Sequence, residues 1–102
     1  MHDPASWSQN DARMPLVEFA PALTRHVPCP PQQVDASTLR EALAGAFEAA
    51  PAMRHYVLDE QGAVRKHVAV FVNARLIADR SRLDIALQAA DKVSVIQALT
   101  GG

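Results

Sequence analysis

Asp91-Lys92-Val93-Ser94-Val95-Ile96-Gln97-Ala98-Leu99-Thr100-Gly101-Gly102 closes the chain, an apolar alternation that runs straight into two glycines. Val93 and Val95 fall on one face of an extended segment and Ser94 and Ile96 on the other, which predicts a strand. No side chain after Ile96 is charged. Gly101 and Gly102 lack Cβ atoms, so this end of the chain adopts nearly any backbone conformation and fits a channel too narrow for a side chain. The reactive group such a channel would receive is the terminal carboxylate. Two glycines that merely fray at a chain end are the alternative reading, so the remaining sequence has to decide what the strand belongs to.

Working backward, the nearest strong pattern is residues 63–72. Val64, Val68, Val70 and Val72 share one face, and Arg65, His67, Ala69 and Phe71 share the other. The run is β-branched and nearly continuous at its end, which predicts a strand in the interior of a sheet. Before it, Asp59-Glu60-Gln61-Gly62 favours a turn, and His55-Tyr56-Val57-Leu58 reads as the strand on the turn's other side. After it, Asn73-Ala74 predicts a turn into a short strand, Arg75-Leu76-Ile77. In the mixed segment 79–90, Leu83 and Leu87 anchor a loop or one helical turn.

One clear helix precedes these strands. Ser37 or Thr38 is the N-cap, and Thr38 and Glu41 stand in capping-box spacing. Leu39, Ala42, Leu43, Ala46, Phe47 and Ala50 repeat at i, i+3, i+4, i+7, i+8 and i+11, a single buried stripe. Pro51 ends the helix, because its ring is incompatible with helical geometry at Ala50. Such a short helix is not stable alone and has to cover a sheet. Upstream, Met14-Pro15-Leu16-Val17-Glu18-Phe19-Ala20 predicts the first strand, residues 21–33 a proline-rich irregular connection or a hairpin with a long loop, and residues 32–35 a short returning strand. Residues 1–13, with the lone Trp7, are polar and aperiodic, which predicts a disordered tail; Met14 is an alternative start.

An α+β chain with one main helix covering one face of a mixed sheet is the β-grasp arrangement. The expected domain covers residues 14–97, with residues 98–102 as a flexible tail that projects past the last, central strand.

The chain has 102 residues, a size for one domain, and a formal net charge of −1, which gives no electrostatic case for nucleic acid or an anionic membrane. No apolar run approaches the roughly 20 residues of a spanning helix, and no secretory pattern opens the chain, so a cytoplasmic location is expected. Cys29 is the single cysteine. It excludes an internal disulfide, a cysteine-rich metal site and a bound iron–sulfur cluster. In Val27-Pro28-Cys29-Pro30-Pro31 it has no cationic neighbour closer than His26, so it reads as an inert loop thiol. His2, His26, His55 and His67 show no helical pairing that marks a metal site. Without a recognisable nucleophile, base and orienting group, the chain is not expected to be an enzyme, to bind a metal or to hold a cofactor.

Three stretches together resemble a known family: Leu39-Arg40-Glu41-Ala42-Leu43, His67-Val68-Ala69-Val70-Phe71-Val72-Asn73, and the closing Asp91 to Gly102 segment. The chain is similar to the ubiquitin-like sulfur carriers, the ThiS/MoaD-like group. Among these it looks closest to the carrier of thiocarboxylate-dependent cysteine biosynthesis. It departs from them at Gln97, where proline is frequent, at Ala74, where glycine or aspartate is common, and in a longer proline-rich loop around Cys29.

The resemblance implies a ubiquitin-like β-grasp and a sulfur-carrier function. A ubiquitin-activating-like partner would use ATP to adenylate Gly102, and a sulfur donor would convert the adenylate to a thiocarboxylate. A sulfur-accepting synthase would then consume it in making cysteine, molybdopterin or a similar metabolite. Gly102 would carry the adenylate and then the sulfur, with Gly101, Thr100, Leu99 and Ala98 as the recognised tail. Phe71, His67 and Arg65 are candidates for partner docking, against the alternative that they line a wetter sheet face. ATP would be the partner's cofactor, none being bound by the chain. A protein modifier conjugated through Gly102 and a non-catalytic β-grasp interaction module are the competing readings.

Overall fold

The computed structural model describes residues 14–98. The expectations for residues 1–13 and for Leu99, Thr100, Gly101 and Gly102 lie outside the described residues. Five strands, β1 (Leu16–Phe19), β2 (Gln32–Gln33), β3 (Val68–Val72), β4 (Arg75–Leu76) and β5 (Lys92–Gln97), form one mixed sheet in the order β2-β1-β5-β3-β4. The closing strand therefore sits at the centre. It runs parallel to β1, with Val17 opposite Val93 and Phe19 opposite Val95, and antiparallel to β3, with Val70 opposite Val95 and Val68 opposite Gln97.

The helices are α1 (Pro21–Thr24), α2 (Leu39–Ala49) and α3 (Pro51–Val57). Thr38 is the N-cap of α2, its Oγ1 accepting from the Glu41 N–H at 3.2 Å. The reciprocal arm reaches one residue further out, where Glu41 Oε1 accepts from the Ser37 N–H at 2.9 Å and from Ser37 Oγ at 3.0 Å. Two more donors of the first turn are satisfied from the loop 79–90: Leu39 N–H donates to the Ile85 carbonyl and Arg40 N–H to that of Leu83, each at 2.9 Å. Leu83 anchors that loop with a buried side chain, held at a φ of 55°.

Val17, Val68, Val70, Val93 and Val95 alternate onto one side of the sheet, and they are fully buried in one core with Leu39, Leu43 and Met53. Burial of Leu39, Leu43 and Phe47 contributes about 1.5 to 3 kcal/mol each. This apolar layer holds α2 against the sheet.

Three expectations are corrected. His55-Tyr56-Val57-Leu58 is not a strand: Pro51 ends α2 but opens α3 at its first position, and Met53 and Val57, one helical turn apart, are buried. Only Leu58 keeps a bridge, to Val64. Residues 63–67 are not part of β3 either, because the Val68 N–H turns back to the Arg65 carbonyl at 3.0 Å. The proline-rich connection is not wholly irregular, since Pro21 starts the single turn of α1 and buries Leu23. Residues 32–33 pair antiparallel with β1 as expected, and Asn73-Ala74, with φ of 53° and 70°, turns β3 into β4.

Candidate functional site

The last described residues show how the tail is launched. β1 pairs with β5 only as far as Phe19 opposite Val95, while β3 continues alongside through Val68 opposite Gln97. Beyond that pair the Ala98 N–H donates to the His67 carbonyl at 2.7 Å. The chain is thus fastened to an interior strand until Ala98, at the end of the sheet. Ala98 is half-buried; of the tail residues singled out in the sequence it alone lies within the described residues.

The three candidate docking residues separate into two places. Phe71 is half-buried on the sheet face away from the helices, between Leu76 and Ser94 in neighbouring strands. Leu76 is 56% exposed, so this face carries open apolar surface. Ala69 and Ile96 pair on the same face, and a salt bridge of 2.8 Å between Lys92 Nζ and Glu18 Oε1 crosses it nearer the start of β5. Arg65 and His67 instead belong to the loop at the base of the tail, because they precede β3. Arg65 Nε donates to the His55 carbonyl at 2.7 Å, and its N–H to that of Val57 at 2.9 Å, which ties the loop to the end of α3. His67 is exposed, and its carbonyl is the anchor of Ala98.

A shallow groove of about 300 Å³ runs beside the second half of β5, between Ser94 and Ile96 on one wall and Ala20, Pro21 and Pro31 on the other. Cys29 is buried, and burial pushes its thiol pKa up, so it is the neutral thiol rather than a thiolate nucleophile. Among the described residues no group of three His, Cys, Asp or Glu side chains could hold a metal, and no helix is long and apolar enough to cross a membrane.

The sequence model of the ThiS family matches residues 21–102. The chain belongs to the ThiS family. Solved structures agree in fold. SAMP1 from Haloferax volcanii superposes with a TM-score of 0.72 at 23% identity, covering 87% of this chain and 99% of that one. The small archaeal modifier protein 1 from Methanosarcina acetivorans gives 0.69 at 16%, covering 87% and 98%. A chain of the Amycolatopsis orientalis BexX/CysO complex gives 0.69 at 15%, covering 85% and 98%. No curated protein matches the sequence.

In this ThiS-family chain the tail base depends on a residue that sequence reasoning passed over. Arg80 Nη2 donates to three carbonyls of the preceding loop, those of Val64, Arg65 and Val68, the last at 2.7 Å. Arg80 therefore holds the turn that presents His67 to Ala98. No local pattern marks it, since its partners lie 12 to 16 residues away.

Proposed function

We propose that the chain is a sulfur carrier. The supporting observation is the launch of the tail: a central strand fastened through Ala98 ends in a segment that the sequence completes with Leu99, Thr100, Gly101 and Gly102. In this reading activation belongs to a partner. A terminal carboxylate, with a reference pKa of about 3.3 to 3.7, is anionic at neutral pH and a poor electrophile. A ubiquitin-activating-like enzyme joins a Gly102 carboxylate oxygen to the α-phosphorus of ATP and releases pyrophosphate. Hydrosulfide then attacks the carbonyl carbon, AMP leaves, and the thiocarboxylate forms without net oxidation or reduction. Ionised and soft, it delivers sulfur in the active site of an accepting synthase.

The paired glycines let the tail pass a channel that Leu99 and Ala98 enter only as far as its mouth. The open apolar face around Phe71 and Leu76 suits contact with the partner's body. Deletion of Gly102, or Gly101→Val, is expected to abolish thiocarboxylate formation while the chemical-denaturation midpoint stays at the wild-type value. Sulfur loading retained in either variant overturns the proposal.

A second reading is favoured by two of the structural neighbours, which are named as small archaeal modifiers. In it a lysine amine of another protein attacks the carbonyl carbon of the same Gly102 adenylate, AMP leaves and an isopeptide bond forms. The two diverge only after adenylation, and isopeptide-linked adducts on cellular proteins distinguish them.

A further inference from the structure

The net charge of −1 conceals an uneven distribution. The chain path places the exposed cations Arg25, Arg54 and Lys66 on segments next to the end of the sheet where β5 finishes. Arg25 precedes His26, whose ring stacks on Tyr56 of α3 at 5.0 Å, and Arg54 lies half a turn earlier on the same helix. Arg65 ties its loop to His55 of that helix, and Lys66 leads from it to His67, the anchor of Ala98. Arg25, Arg54 and Lys66 form no ion pair among the described residues.

Elsewhere the cations are engaged: Lys92 with Glu18, Arg82 with Asp84, and Arg40 with the carbonyls of Ser81 and Arg82. Arg75, beside the β3–β4 turn at the other end of the sheet, is the exception. Two acids, Asp59 and Glu60, lie in the turn that follows α3. Asp59 caps its own turn, its Oδ1 accepting from the Gln61 and Ala63 N–H groups at 2.9 and 3.0 Å.

We infer that Arg25, Arg54 and Lys66 form a cationic rim that docks against an acidic surface bordering the tail channel of the activating enzyme. This rests on the carrier reading above and adds the chemistry of the partner's recognition surface. The five residues 98–102 reach at most about 16 to 18 Å when extended, beyond the Debye length of about 8 Å at physiological salt. The rim and the terminal carboxylate therefore address separate parts of the partner, an acidic border outside and an anion-binding site within. Opposite charge at the border raises the encounter rate and orients the carrier so that the tail meets the channel.

The test is steady-state thiocarboxylate formation by intact mass, with the activating enzyme from the same cell as the probe. It compares wild type, the triple variant Arg25→Glu, Arg54→Glu, Lys66→Glu, its three single variants, and Arg75→Glu as a matched charge change at the far end. Expected is a loss of about tenfold or more in kcat/KM for the triple variant, carried by KM with kcat unchanged, and a flatter dependence on salt. Arg75→Glu stays at the wild-type value. Should the triple variant fold poorly, the single variants carry the same ordering. Wild-type loading with rim variants indistinguishable from Arg75→Glu overturns the rim alone. A wild-type chain that no activating enzyme loads removes the carrier reading and the rim with it.

Discussion

At the scale of single residues, Ala74 shows how a local exception is tolerated. The two-residue connection between β3 and β4 needs positive φ at both positions, which Asn73 accepts readily and Ala74, at 70°, does not. Asn73 is held from outside the turn: its Nδ2 donates to Asp91 Oδ1 and its Oδ1 accepts from the Lys92 N–H at 2.9 Å. Ala74→Gly is expected to stabilise the domain by about 0.5 to 1 kcal/mol, the relief of the αL strain exceeding the added freedom of the unfolded chain. Urea denaturation of the variant checks this, and a loss of stability would show that the turn is not strained. Three carboxyls also carry a pH signature. The Ser37 N–H on Glu41, the Ala63 N–H on Asp59 and the Ser81 N–H on Asp79 each hold the carboxyl below its ordinary pKa. Their stabilisation is fully present above the unfolded values near pH 4 and is lost as pH falls through the lower folded values. Stability should therefore be level from these groups between neutrality and about pH 5 and decline below about pH 4. Asp59→Asn should flatten that decline in acid titrations followed by circular dichroism.

At the scale of elements, α2 and β5 were legible because their signals are local. The stripe from Leu39 to Phe47, the Thr38 cap and the alternation of Val93 and Val95 each specify an element without knowledge of the rest. Leu43 is buried at 1% exposure on that stripe, so Leu43→Ala is expected to cost about 2 to 5 kcal/mol in chemical denaturation. A loss well under about 1 kcal/mol would contradict its place in the core. α3 was misread for a physical reason. Tyr56, Val57 and Leu58 favour strands, but the Pro51 start and the burial of Met53 and Val57 on one helical face override that preference. The late start of β3 was hidden for another reason, since the turn at residues 65–68 is held by Arg80 across sequence distance. Of the candidate site, the place of Phe71 on the outer sheet face was legible by alternation and the neighbourhood of Arg65 and His67 only through the fold, while Leu99 to Gly102 lie outside the described residues.

For the whole molecule, the sheet order decides what the chain can present. The closing strand is central, and it is fastened on the β3 side up to Ala98, at the end of the sheet. Near that end Arg25, Arg54 and Lys66 form no ion pair among the described residues, and the Phe71 and Leu76 face is open. These features belong to a ThiS-family chain, and they fit the carrier role proposed above, in which partners supply the chemistry. The most direct test is intact mass spectrometry after incubation of the full chain with an activating enzyme, ATP and sulfide. The account predicts a mass gain corresponding to one oxygen replaced by sulfur, located at Gly102 by fragmentation and absent when ATP is omitted. An unchanged mass with a folded chain, across the activating enzymes of the same cell, would contradict it.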